Sequence, residues 1–252
     1  MTALLADARL QAMLPVLLLT YCRVQSCLLA MPGFSLRILP VRLRVAIAMS
    51  MTPLLAEHAG LAPPIRTMTG LALLAGAEIV TGLILGGLVR LMALSLDIAA
   101  AAIAATTSLS QLVGGVNEFA PHPIGNLLSL AGLALLMALG MPALLCDLLR
   151  ESLVLRPVGS WPQVAELLPT ALGLIGRSFV VALVLAAPFI LGGYLFQILT
   201  GMASKAMPAL PMMLIAAPAA ILLALVALTL LTPAILSGWA RAVLDVMQSD
   251  LP

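Results

Sequence analysis

The sequence EIVTGLILGGLVRLMALSLDIAAAAIA, residues 78–104, lies inside the longest apolar stretch of the chain. Because that stretch, Thr67–Val113, is continuous and rich in Ala and Leu, it predicts one long helix or one bent helical hairpin. Gly82 and Gly86 form a GxxxG spacing, which allows the backbones of two membrane helices to approach closely. The fold therefore depends on long apolar helices that pack against one another.

The overall composition indicates a membrane protein. Hydrophobic residues make up 63% of the 252 residues and charged residues only 9%, whereas soluble domains carry about 25% charged residues. We expect the bilayer, or equally apolar subunits, to surround the chain. A β-barrel is disfavoured because its strands would alternate between apolar and polar residues, and a net charge of +2 gives no indication of nucleic-acid binding.

Further apolar helices are predicted outside the central stretch. They are Leu10–Met31, Val45–Ala56, Asn126–Leu149, Thr170–Ala203 and Met212–Leu236. The most polar interval, Arg150–Pro169, is the natural boundary between two halves, and Arg241–Pro252 is expected to be a short amphipathic tail. Asp7 and Arg9 leave the N-terminal start nearly neutral, so we interpret this segment as retained rather than cleaved as a signal peptide.

Five ionisable residues lie within or near the apolar segments: Arg23, Glu78, Arg90, Asp97 and Arg177. A charge in hydrocarbon costs about 2.5–3.5 kcal/mol on insertion scales, so such residues face a partner or a cavity. They could form a proton or ion relay, or they could pair with other helices and subunits. Arg90 and Asp97 are seven residues apart, too far for a direct bridge along one helix, which predicts that each pairs elsewhere.

Residue patterns typical of catalysis and metal binding are missing from the sequence. Ser108 and Ser110 lack a GxSxG context. His58 and His122 lie in predicted loops without other metal-ligating residues nearby. The sequence therefore predicts that the chain is not an enzyme and holds neither a metal nor a cofactor.

The loop GGVNEFAPHPIG, Gly114–Gly125, separates two long apolar segments. Irregular backbone is tolerated at membrane depth only where it is buried in protein or lines water. The loop could thus be a re-entrant gate, or it could be an ordinary external turn.

Four segments, in this order, resemble the FliR family of flagellar and type III secretion export proteins, which includes SctT-like subunits. The segments are Cys22–Ala56, Glu78–Ala104 with its E-x-x-x-G-x-x-x-G pattern, Leu139–Gly159, and Leu199–Ile221. The last segment departs from the family pattern at Lys205, Ala209 and Pro211. Each motif is weak singly, and their order along most of the chain carries the resemblance.

The resemblance implies an all-α, polytopic membrane subunit, built of helical hairpins, within a hetero-oligomeric helical pore complex. Such subunits help to form and gate the channel for unfolded substrates of the flagellar type III export apparatus. The implied partners are FliP-like and FliQ-like subunits, a FlhB-like subunit and membrane lipid. The implied location is the bacterial inner membrane, in the flagellar basal body.

The resemblance also implies a division of the chain and a gate. Residues 1–155 would form a FliP-like helical portion, and residues 156–252 a FliQ-like helical hairpin with a C-terminal tail. A loop near residues 111–124 would plug the closed pore, through Gly114, Gly115, Val116, Asn117, Glu118, Phe119 and Pro121. Polar contacts between helices or subunits are expected at Arg23, Glu78, Arg90, Asp97, Arg177 and Lys205.

Two alternatives remain open. A virulence injectisome shares the same motif pattern, although we favour the flagellar system. An ion-coupled secondary transporter, with an ion pathway through Asp97, Arg90 and Glu78, belongs to another class. Because transporters often show two repeated halves and no clear repeat is visible here, the order of motifs favours the export gate.

Overall fold

Only α-helices occur among the residues that the computed structural model describes, which are 8–35, 39–60, 67–106, 123–206 and 212–248. Seven helices are found there: α1 Ala8–Ala30, α2 Val41–Ala56, α3 Met68–Thr106, α4 Pro123–Ala138, α5 Met141–Leu155, α6 Val164–Ala206 and α7 Met212–Gln248. The predicted all-α class is confirmed.

Four of these helices are long and apolar enough to cross a membrane. The qualifying stretches are Met13–Ala30 in α1, Met68–Ile103 in α3, Val164–Ala206 in α6 and Pro218–Gln248 in α7. Counting α4 and α5 as one broken span gives five. The chain is thus a polytopic helical membrane protein.

The spanning segment predicted at Asn126–Leu149 is not one continuous helix, because the structure divides it into α4 and α5 with a bend of 67°. Gly140 has a φ of 89° at the N-cap of α5, and Pro142 lies in the first turn of that helix. A left-handed φ is easily adopted only by glycine, and a proline in the first turn favours the start of a new helix. These two residues explain the break.

Other boundaries also differ from the sequence-based expectation. The polar interval Arg150–Pro169 contains the end of α5 and the start of α6, so the connection is only residues 156–163. Within the described residues, α3 is one continuous helix as far as Thr106, so the hairpin alternative for this stretch is wrong. Residues 241–248 continue α7 instead of forming a separate tail.

The chain divides into two compact units. The first comprises residues 1–92, 137–175 and 243–252. In this unit the GxxxG prediction is confirmed, because a Cβ at Gly82 would overlap Ser26 Oγ and the carbonyl oxygen of Arg23. A Cβ at Gly86 would lie 2.5 Å from the carbonyl oxygen of Cys27. The backbone of α1 therefore packs directly on this glycine face of α3.

The second unit comprises residues 93–136 and 176–242. Its largest buried side chain is Trp239 on α7, which is 2% exposed. The indole Nε1 donates to the carbonyl oxygen of Ala93 at 3.2 Å. Gly132 on α4 makes room for the ring, since a Cβ there would lie 2.8 Å from Trp239 Cζ3. A glycine thus sets helix packing in this unit as well.

Candidate functional site

The central feature of the first unit is a charged pair with no solvent exposure. Arg23 on α1 and Glu78 on α3 are both 0% exposed. Arg23 Nε donates to Glu78 Oε2 at 2.5 Å, and Arg23 Nη2 donates to Glu78 Oε1 at 3.1 Å. This two-point contact between a guanidinium and a carboxylate is the strongest geometry available to such a pair.

The close approach of α1 and α3 brings the two charges together. Glu78 and Gly82 are four residues apart on α3, so they occupy the same face of the helix. Because Gly82 has no side chain, α3 contacts the α1 backbone at Arg23 itself. Glycine packing and the charged pair are therefore parts of one contact between the two helices.

The end of α5 and the turn that follows it complete the network. Arg23 Nη1 donates to the Ser152 carbonyl at 2.9 Å, to Ser152 Oγ at 3.2 Å and to the Arg156 carbonyl at 3.1 Å. Arg23 Nη2 also reaches the Arg156 carbonyl at 3.1 Å. In return, the N–H of Gly159 donates to Glu78 Oε1 at 2.6 Å. The pair thus connects three segments that lie far apart in sequence.

Local backbone geometry explains why this turn reaches the pair. Arg156 caps α5 in an extended conformation, with φ of −127°. Gly159 adopts φ of 92°, and the Ser160 N–H closes the turn on the Pro157 carbonyl at 3.2 Å. This left-handed conformation at Gly159 favours glycine. Its amide N–H is thereby directed at the carboxylate.

The network is saturated, which limits what it can do. Each guanidinium nitrogen of Arg23 donates, and both carboxylate oxygens of Glu78 accept. Removing one partner from a buried pair costs about 3–5 kcal/mol, since a buried charge is left uncompensated. With its donors engaged inside the chain, Arg23 is arranged to hold segments together rather than to bind a passing substrate.

The other predicted polar residues have less enclosed surroundings. Arg90 Nη1 on α3 donates to Ser35 Oγ at 3.3 Å. Asp97, also on α3, accepts from Ser129 Oγ on α4 at 2.6 Å. Arg177 and Lys205 are exposed residues of α6, and Lys205 lies in the last turn of that helix.

The residues predicted to plug the pore lie outside the described part of the chain. They are Gly114, Gly115, Val116, Asn117, Glu118, Phe119 and Pro121. The plug stays a prediction.

The sequence reasoning missed three partners of the pair: Ser152, the carbonyl of Arg156 and the amide of Gly159. Ser152 is 8% exposed and follows Leu145, Leu148 and Leu149 on the buried face of α5. A serine at helical spacing in an otherwise apolar face was the available signal. Gly159 ends the segment Leu139–Gly159 that carries part of the resemblance, but the distant carboxylate that its amide faces could not be identified from local sequence.

Comparison with known proteins places the chain in a family. The profile of bacterial export proteins, family 1, matches residues 14–246. The chain is also 29% identical to the flagellar biosynthetic protein FliR of Caulobacter vibrioides over 237 residues, which cover 90% of this chain and 94% of that protein. The family match spans the helices that carry Arg23, Glu78 and Ser152, and continues through both membrane helices α6 and α7. The chain therefore belongs to family 1 of the bacterial export proteins.

Proposed function

We propose that this chain is a subunit of the flagellar type III protein export gate and helps to form and gate its channel. The family match over residues 14–246 carries the proposal. The role is mechanical: the chain lines and shapes a route for unfolded substrates. The flagellar system is favoured over an injectisome because the relative from Caulobacter vibrioides is named as a flagellar biosynthetic protein.

The exposure of α6 supports assembly into a larger pore. Residues 176–206, the part of α6 in the second unit, correspond to about 46 Å of helix at about 1.5 Å per residue. The hydrocarbon core of a bilayer is only about 30 Å thick. Val180, Leu191 and Met202, which span about 33 Å of this helix at about 1.5 Å per residue, are 60%, 63% and 66% exposed. Apolar surface longer than one bilayer crossing is best covered by other protein subunits.

FliP-like and FliQ-like subunits, with a FlhB-like subunit, are the partners in this proposal, and the location is the inner membrane at the flagellar basal body. The division into residues 1–155, FliP-like, and 156–252, FliQ-like, belongs to the same proposal. It places the Arg23–Glu78 network at the junction, because the pair contacts the carbonyl of Arg156 and the N–H of Gly159. The network would fix where the second portion leaves the first.

Co-expression tests the assembly directly. The tagged chain would be produced with the FliP-like and FliQ-like proteins of its own genome, purified in mild detergent and weighed by native mass spectrometry. A discrete hetero-oligomer supports the export gate and gives the stoichiometry. A monomer or homodimer that binds neither partner would overturn the proposal and favour an ion-coupled transporter.

A second experiment tests the gate, which we assign to the loop near residues 111–124. Deleting residues 115–121 removes the proposed obstruction, so small-molecule leakage across the membrane should rise in cells that assemble the complex. Unchanged leakage, with normal assembly by native mass spectrometry, would count against a plug at this loop.

A further inference from the structure

Asp97 occupies an unusual position in the second unit. Its carboxylate lies on α3 within the membrane-length stretch Met68–Ile103, yet the residue is exposed. Its hydrogen bond with Ser129 Oγ of α4 uses one carboxylate oxygen, Oδ1. The ion pairs Arg23–Glu78 and Arg156–Glu166 do not involve Asp97. A negative charge in an apolar span is costly without a cation.

A cavity of about 170 Å³ opens beside this carboxylate. Its lining residues are Asp97, Ala100, Ala101, Gly125, Asn126 and Ser129. The alanines and the glycine contribute little side-chain volume to this space, and a Cβ at Gly125 would make ordinary van der Waals contact with Ala100 Cβ at 3.8 Å. The lining thus combines three small residues with three oxygen-bearing side chains.

The lining of the cavity presents hydrogen-bond acceptors and a negative charge, so it favours a cation that carries several N–H donors. Ser129 Oγ–H donates to Asp97 Oδ1. The other acceptors of the lining are Asp97 Oδ2, for which the described residues show no donor, and the carboxamide oxygen of Asn126. Arginine offers five N–H donors and lysine three, and neither accepts. A hard metal ion fits less well, because such ions take six or more oxygen ligands or keep several waters.

The chain does not supply this cation from the nearest connection. Residues 107–122, which join α3 to α4, contain neither lysine nor arginine. We propose that the pocket formed by Asp97, Asn126 and Ser129 receives an arginine or lysine side chain of another export-gate subunit. This inference rests on the proposed function, and it identifies one contact through which the assembly recognises this chain.

The test uses the full complex and a neutral variant of the same shape. Asp97→Asn keeps the size of the side chain and its contact with Ser129 but removes the charge. The tagged chain is co-expressed with its FliP-like and FliQ-like subunits, and the co-purified partner is quantified as NaCl is raised. We expect about tenfold less partner to be retained by Asp97→Asn. The control, Glu151→Gln, neutralises an exposed carboxylate of α5 and should retain partner as the parent chain does.

The identity of the cation is tested by crosslinking from the pocket. A photoreactive benzoyl-phenylalanine replaces Ala101, which is exposed and lines the cavity, and mass spectrometry identifies the captured peptide. We expect a peptide of a partner subunit that contains arginine or lysine. Changing that residue to aspartate should weaken assembly, and combining it with Asp97→Arg should restore it.

The outcomes separate the inference from the proposed function. If the parent chain does not associate with the partners, the export-gate proposal fails, and this inference fails with it. If the parent chain assembles and Asp97→Asn assembles equally well, only the inference is overturned. Capture of a peptide without a cationic residue, or of no partner peptide, also overturns it. Helical content and melting of the isolated variant show whether a loss reflects misfolding.

Discussion

Two carboxylates of the same helix have opposite surroundings. Glu78, early in α3, is 0% exposed and receives hydrogen bonds from Arg23 and from the Gly159 amide. Asp97, nineteen residues later, is exposed and accepts a hydrogen bond from the Ser129 hydroxyl. The first charge is neutralised entirely inside the chain, whereas the second faces an open pocket.

The difference shows how burial decides the role of a charge in an apolar protein. A fully buried carboxylate must be paired and hydrogen-bonded, since the cost of leaving it unpaired exceeds most single contributions to folding. An exposed carboxylate can stay unpaired until another molecule covers it. Glu78 therefore contributes to folding of the chain, whereas Asp97 carries the contact with another subunit that we propose.

The largest expected effect contrasts these two residues. Glu78→Gln removes the charge that compensates Arg23, and we expect the free energy of unfolding to fall by about 3–5 kcal/mol. Asp97→Asn should lower it by less than about 1 kcal/mol, because the residue is exposed and keeps its serine contact. The measurement is SDS-titrated unfolding of the purified chain in mixed micelles. Glu57→Gln, at an exposed helix end, is the control for the loss of a charge alone. Equal losses of unfolding free energy for Glu78→Gln and Asp97→Asn would contradict the difference between the two carboxylates.

A double substitution sharpens the same point. Arg23→Met combined with Glu78→Met removes both charges, so we expect it to cost less than the sum of the two single losses. The same titration measures this coupling. An additive result would mean that the two charges do not depend on one another.

The next effect concerns the glycine that brings Glu78 to Arg23. Gly82→Ala places a Cβ against Ser26 Oγ and the Arg23 carbonyl, and we expect a loss of about 2–3 kcal/mol from overpacking. Gly87→Ala is the matched control on the same helix, since nothing lies within 4 Å of a Cβ there. It should stabilise the chain by about 0.5–1 kcal/mol through helix propensity. Thermal melting should show a lower melting temperature for Gly82→Ala and a higher one for Gly87→Ala.

A smaller effect is expected from the packing of the second unit. Trp239→Phe removes the donor to the Ala93 carbonyl, and the lost hydrogen bond should cost about 1–1.5 kcal/mol. Trp161 is 58% exposed, so Trp161→Phe should be nearly neutral. If the two tryptophan variants melt alike, the indole contact does not stabilise this unit.

The smallest expected effect concerns the hydrogen bond between Ser129 and Asp97, which should contribute little to the free energy of unfolding. Ser129→Ala removes its hydrogen bond, and we expect about 0.5 kcal/mol or less, because the contact is exposed. Ser204→Ala, another exposed serine, gives the baseline of the SDS titration. A loss near that of Glu78→Gln would show that Asp97 is as tightly integrated as Glu78, which contradicts the comparison.

Much of the fold was predictable because periodicity and hydropathy are local properties. The long apolar stretch around residues 78–104 became α3, and the GxxxG spacing became a close contact with α1. The division between α4 and α5 was not predicted, because Gly140 lies among apolar residues that read as one span. Its φ of 89° depends on the surrounding packing.

For the candidate site, the sequence predicted which charged residues matter but not which of them pair. Arg23 and Glu78 were singled out because charges are rare and costly in apolar helices. Their pairing was not visible, since they are 55 residues apart. Ser152 gives only a weak local signal, a serine within an apolar helix face. The Gly159 amide gives none, because it is a backbone group.

By itself, the sequence determined that the chain is helical, that it belongs in a membrane or a membrane-embedded assembly, and that a few charges within it need partners. These properties follow from composition and from residue spacing along one helix. Only the tertiary structure decided which charge meets which partner, because long-range contacts depend on how helices pack. The glycine face that seats α1 on α3 puts Arg23 beside Glu78, whereas Asp97 is left beside a serine and an open pocket.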